Sequence, residues 1–231
     1  MLRSTGTVRK VHEERTDLGG IPAKLYVPPD ATAVLLLGHG GGQSKDSSRF
    51  VQIARSYAAH TGLAVVCIDA IDHGDRRRED AGSDIPRLWH SSAIARMVED
   101  WSVAADALST IGPARAYVGF SMGSIFGPPT VAAIPSITAA VFVVGGIPDN
   151  ADIDDPPLGG VLTEAASQLQ HANVLMANMT NDGFFPIPGV HRLFDAIRAR
   201  SKRLMFWEGE HADWPSELLD HSGWFVKNQL I

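Results

Sequence analysis

The chain predicts an α/β fold built on a mostly parallel sheet flanked by helices. Short apolar runs rich in β-branched residues alternate with segments of helical period, the pattern of repeated βα units. Its 231 residues suit one domain of that class, which routinely reaches about 200–250 residues. Apolar residues make up 45% and charged residues 20%, so the chain is too apolar for disorder and should bury a sizeable core.

Two extended segments come first, around 7–14 and 21–27. The turn signal Asp17-Leu18-Gly19-Gly20 separates them and makes an antiparallel hairpin. Six buried strands follow, at 33–38, 63–68, 116–120, 137–144, 173–177 and 203–207. Between them the period predicts helices at 47–60, 91–111, 122–126, 160–171, 190–200 and 214–228. In the second helix Ile94, Met97, Trp101, Ala104, Ala105 and Leu108 form an apolar stripe that should pack on the sheet. The uncharged stretch from Ala116 to Pro148 is long enough to span a bilayer, but Pro128, Pro129, Pro135 and five glycines break it. It reads as buried core, not a membrane helix.

The net charge is −6, and the basic residues never gather into a run longer than Arg76-Arg77-Arg78, which argues against nucleic acid and anionic membrane as partners. Cys67 is the only cysteine, so neither an internal disulfide nor a Cys-cluster zinc site is available. The N-terminus lacks the apolar run of a signal peptide. Together these features lead us to expect a cytoplasmic protein; the oligomeric state is not legible.

The sharpest motif is Gly119-Phe120-Ser121-Met122-Gly123, a G-x-S-x-G sequence between a predicted strand and a predicted helix. Such a tight turn strains the serine backbone, needs small residues two positions either side, and holds the hydroxyl out at the sheet edge. A nucleophilic serine also needs N–H donors for a developing oxyanion. Gly38-His39-Gly40-Gly41-Gly42, at the end of the 33–38 strand, supplies flexible backbone for one. The predicted donors are the amides of Met122 and Gly41, with Gly40 as the alternative.

The serine further requires a base and an acid, expected in the order Ser, Asp, His on loops after later strands. Asp182 follows the 173–177 strand and is the first candidate acid. Asp149 and the group Asp152, Asp154 and Asp155 follow the preceding strand and remain open alternatives. Of nine histidines, only His191, His211 and His221 lie beyond the acid. His211 alone falls on a strand-to-helix loop and is the predicted base. Asp69-Ala70-Ile71-Asp72-His73-Gly74-Asp75-Arg76 mimics a metal cluster, but no second His/Asp cluster completes it. It is expected to brace the glycine loop, with no metal and no cofactor. Phe120, Phe126, Trp89 and Trp214 lie near the motif loops, but Phe184 and Phe185, just past the acid, are the better candidates for substrate contact.

Taken together, His39-Gly40-Gly41, Asp69 with His73-Gly74, the Ser121 pentapeptide, Asp182 and Gly209-Glu210-His211 resemble the α/β-hydrolase superfamily over nearly the whole chain. Within it the chain is similar to the compact dienelactone-hydrolase-like and small serine esterase branch, where His-Gly is followed by a loop carrying Lys, as in His39 and Lys45. The resemblance implies an eight-stranded sheet with strand two antiparallel and a Ser-His-Asp triad. Dienelactone hydrolases proper carry Cys where this chain has Ser121, so their lactone specificity is not implied. The expected activity is hydrolysis of small carboxylic esters through an acyl-enzyme. The alternatives are amide, peptide, thioester or peroxide chemistry at the same residues, and a non-catalytic ligand-binding member of the fold. The main room for a lid is 145–172, too short for a separate cap domain, which implies an open site.

Overall fold

The computed structural model describes residues 9–78, 91–149 and 157–229. Its strands are β1 (His12–Asp17), β2 (Pro22–Val27), β3 (Val34–Gly38), β4 (Ala64–Ile68), β5 (Ala114–Phe120), β6 (Ala139–Val143), β7 (Asn173–Met179) and β8 (Ser201–Trp207). The helices are α1 (Ser48–Thr61), α2 (Ser91–Ala107), α3 (Met122–Ala133), α4 (Leu158–Ala166), α5 (Ile187–Ala196) and α6 (Ser216–Asn228). All eight strands join one sheet in the order β1-β2-β4-β3-β5-β6-β7-β8. β2 is antiparallel to both its neighbours, and the strands from β4 across to β8 are parallel.

Strand alternation sorts the core into two layers. Leu35, Leu37, Val65, Val118, Val141 and Leu175 face α1 and α6, meeting Phe50, Tyr57, Leu218 and Phe225. Leu36, Val66, Tyr117, Ala140 and Val174 face the other four helices, and there the predicted α2 stripe is buried at Ile94, Met97, Trp101, Ala104 and Leu108. With helices on both faces, the central strands have no polar side, which is why they read as continuous apolar runs.

Several expectations shift, α2 and α4 among them, which end earlier than expected at Ala107 and Ala166. The first strand lies at His12–Asp17, not 7–14, because the tight turn sets the register: Asp17 pairs with Pro22 and the ladder runs back from there to His12 opposite Val27. α3 continues past Phe126 through Pro128 and Pro129 to Ala133. Each proline removes a helix donor, but this helix is buried along nearly its whole length, and packing overrides the local penalty. α5 begins at Ile187, three residues earlier than expected, because Pro188 sits in the first turn, where no N–H is needed.

Between them β5, α3 and β6 account for most of the uncharged 116–148 stretch. Among the described residues no helix is long and apolar enough to cross a membrane. The parallel strands bring the segments after β3, β5, β7 and β8 to one edge of the sheet, where the crevices of α/β folds lie.

Candidate active site

Ser121 joins β5 to α3 with φ 52° and ψ −111°, a conformation that non-glycine residues adopt only when the surroundings enforce it. The enforcement is visible. Ser121 N–H donates to Val143 O at 2.9 Å, while its own carbonyl accepts from Ser124 N at 2.8 Å and from Ser124 Oγ at 2.5 Å. The flanking glycines are required by contact: a Cβ on Gly119 would lie 2.2 Å from Gly123 O, and one on Gly123 would lie 2.5 Å from Gly38 O. The turn and the β3 loop are thus pressed backbone to backbone.

His211, on the loop between β8 and α6, places Nε2 2.8 Å from Ser121 Oγ and Nδ1 2.7 Å from Asp182 Oδ2. Asp182 is buried, and its other oxygen, Oδ1, accepts the Phe184 and Phe185 amides at 2.8 and 3.0 Å. Those two bonds lock the carboxylate. With Nδ1–H donated to Asp182, Nε2 is free to take the serine proton. Asp149, the alternative acid, is exposed after β6, and 152, 154 and 155 lie outside the described residues. His191 belongs to α5 and His221 to α6, where His221 Nδ1–H donates to Glu217 O.

The glycine loop passes beside the serine: a Cβ on Gly40 would lie 3.5 Å from Ser121 Cβ. Gly40 N–H donates to Gln43 Oε1 at 3.3 Å, whereas among the described residues the Gly41 and Met122 amides have no hydrogen-bond partner. Met122 opens the buried α3 helix, whose N-terminus favours negative charge.

Comparison with solved structures finds the same architecture over nearly the full chain. A cold-adapted esterase from an Arctic intertidal metagenomic library, bound to polyethylene glycol, matches with a TM-score of 0.79 at 22% identity, covering 98% of this chain and 96% of that one. The Pyrococcus furiosus esterase Pf2001 matches with a TM-score of 0.71 at 13% identity, covering 95% and 93%. The ferulic-acid complex of Est1E from Butyrivibrio proteoclasticus matches with a TM-score of 0.67 at 16% identity, covering 94% and 97%. The chain has the α/β-hydrolase fold. No protein-family model and no curated protein sequence matches it.

In this α/β-hydrolase fold a polar scaffold holds the glycine loop. His39, 2% exposed, donates Nδ1–H to Gly40 O at 2.8 Å and accepts Ala70 N–H on Nε2 at 2.9 Å. Burial holds its pKa down at about 4, despite the bond to Gly40. His73 donates Nδ1–H to Ile71 O and accepts Gly42 N–H on Nε2. Lys45, 1% exposed, sets its ammonium 2.9 Å from Asp46 and Asp69 and 2.5 Å from Asp75. Burial opposes its charge, but these carboxylates outweigh burial and raise its pKa. The acidic cluster after β4 is therefore occupied by a lysine, and among the described residues no group of three or more His, Cys, Asp or Glu side chains is placed to hold a metal ion. Cys67 is fully buried, which pushes its thiol pKa up.

The two phenylalanines differ. Phe184 is 52% exposed with its ring 4.8 Å from the His211 imidazole, while Phe185 is buried with its ring 5.8 Å from it. Phe126 is also buried, and Trp89 lies outside the described residues. Trp214, expected only as an aromatic near the site, donates its indole N–H to His211 O. Arg49 on α1 was not found from sequence, yet it bonds Ala212 O, 163 positions away; no local pattern signals such a contact.

Proposed function

We propose that the chain is a serine hydrolase of small carboxylic esters, acting through Ser121, His211 and Asp182 and an acyl-enzyme. The observation that carries this reading is the unbroken hydrogen-bond chain from Ser121 Oγ through His211 to the buried Asp182 carboxylate, at the edge where the parallel strands end. The esterases among its structural neighbours support the substrate class.

In this mechanism His211 Nε2 takes the hydroxyl proton as Ser121 Oγ bonds to the ester carbonyl carbon. The negative charge moves to the carbonyl oxygen, where the Gly41 and Met122 amides stabilise it. His211 then returns the proton to the alcohol oxygen as the C–O bond breaks, leaving an acyl-serine. Water, deprotonated by the same imidazole, then bonds to the acyl carbon; the C–Oγ bond breaks, His211 returns the proton to Ser121 Oγ, and the acid is released. Asp182 holds the Nδ1–H tautomer and offsets the imidazolium charge throughout. Phe184 supplies the exposed apolar wall for the substrate, and Phe185 supports the imidazole from within the core. We read the chain as one domain whose lid is confined to 145–172, which favours small, accessible esters.

Rates on matched ester, thioester and anilide substrates test the leaving-group class; the ester should turn over fastest. A fluorophosphonate should label Ser121, and failure to label an active-looking fold would instead favour a non-catalytic binding protein.

A further inference from the structure

The candidate base hangs from the edge of the sheet. His211 follows β8, which pairs with β7 on one side and, among the described residues, with no strand on the other. Backbone bonds tie the start of its loop to the residues after β7, where Thr180 N–H donates to Trp207 O and Asn181 N–H to Gly209 O, both at 2.9 Å, and a turn closes within the loop where Asp213 N–H donates to Glu210 O at 3.0 Å. Side chains add two further ties at the carbonyls of His211 and Ala212. The Trp214 indole Nε1–H donates to His211 O at 2.6 Å, and Arg49 Nη1 donates to Ala212 O at 3.2 Å. The Arg49 guanidinium lies 4.1 Å from the indole centroid. The same indole lies 4.9 Å from the ring of Phe120, the residue immediately before Ser121.

Resting on the reading of His211 as general base, we propose that Trp214, braced by Arg49, is a positioning residue for the histidine. Asp182 restrains Nδ1, but the peptide from which the imidazole hangs is fixed by the indole N–H. The indole in turn bears on Phe120, so base and nucleophile are registered through one side chain. Proton transfer depends steeply on that register, since a misplacement of about 1 Å costs up to about 100-fold. Substrate affinity does not depend on it, because the glycine loop and Phe184 stand on other segments.

Two variants of the full chain test this. Trp214→Phe keeps an aromatic ring beside Phe120 and Arg49 but removes the donor, and Arg49→Met removes the guanidinium but keeps the indole. A fluorophosphonate reports separately how many sites react and how fast. Both variants should label to full stoichiometry. The labelling rate constant and kcat for p-nitrophenyl butyrate should fall about tenfold in Trp214→Phe and about threefold in Arg49→Met, with KM held within about twofold. The double variant should lose no more than Trp214→Phe alone, since both act on one loop. Wild-type rate constants in Trp214→Phe overturn the proposal. So does lowered stoichiometry with an unchanged rate per reacting site, the signature of a merely structural residue. If Trp214→Phe does not fold, Arg49→Met decides by the same readouts. Ser121→Ala and His211→Ala run alongside: activity surviving in them overturns the triad reading itself, while their inactivity beside an unimpaired Trp214→Phe overturns this inference alone.

Discussion

Asp182 shares its two oxygens between backbone and imidazole, and that division sets the protonation of its neighbour. In Asp182→Asn the amide oxygen would stay with the Phe184 and Phe185 N–H groups, turning the NH₂ toward His211 Nδ1. The proton would then sit on Nε2, which could no longer accept from Ser121. We expect kcat for a p-nitrophenyl ester to fall by about 10³–10⁴-fold with the fold retained, measured by steady-state kinetics beside circular dichroism. His39 gives a pH prediction. Its folded pKa, about 4, lies below the unfolded value of about 6.5, so the unfolded chain gains a proton first as pH falls. The contribution is fully present above about pH 6.5 and is lost toward pH 4, amounting to about 3 kcal/mol over that window. Urea unfolding from pH 7 to 4 should show this slope, and His39→Gln should flatten it. Ser121, Asp182 and His211, which the structure joins by hydrogen bonds, could be picked out in advance because each follows a strand in an ordered series. Arg49 was not, because its partners are distant in the chain and nothing within α1 marks it.

The loops after β3 and β4 act as one unit around Lys45. Its ammonium neutralises carboxylates from both loops, including the fully buried Asp69, whose oxygens also accept the Lys45 and Asp75 amides. Lys45→Met would leave that charge without its cation and should destabilise the protein by about 3–5 kcal/mol in urea unfolding at pH 7. At the β5–α3 turn, Gly123→Ala places a methyl group against Gly38 O and His39 O, which belong to backbone and cannot rotate away. We expect a loss of about 1–3 kcal/mol with a larger loss of kcat, because the glycine loop must retreat from the serine. The sequence pattern revealed these loops as glycine-rich and charged, and it anticipated that the segment after β4 braces the glycine loop. It did not reveal that α3 runs through two prolines: local propensity favours a stop at Phe126, and only burial between α2, α4 and the sheet reverses that.

For the molecule as a whole, the alternation of apolar runs and helical segments was enough to predict a mostly parallel sheet flanked by helices. Strand order was not legible from that pattern, since the crossover placing β4 between β2 and β3 depends on packing between distant segments. The resemblance to α/β-hydrolases implied only eight strands with the second antiparallel, and the sheet has both features. The architecture brings Ser121, Asp182 and His211 together from positions up to 90 residues apart, and the proposed esterase activity rests on this convergence. The most direct test is kcat/KM for p-nitrophenyl butyrate in Ser121→Ala beside the wild-type chain, with thermal unfolding of both. We predict a loss of at least about 10³-fold with Tm preserved; an unchanged kcat/KM in a folded Ser121→Ala would contradict the account.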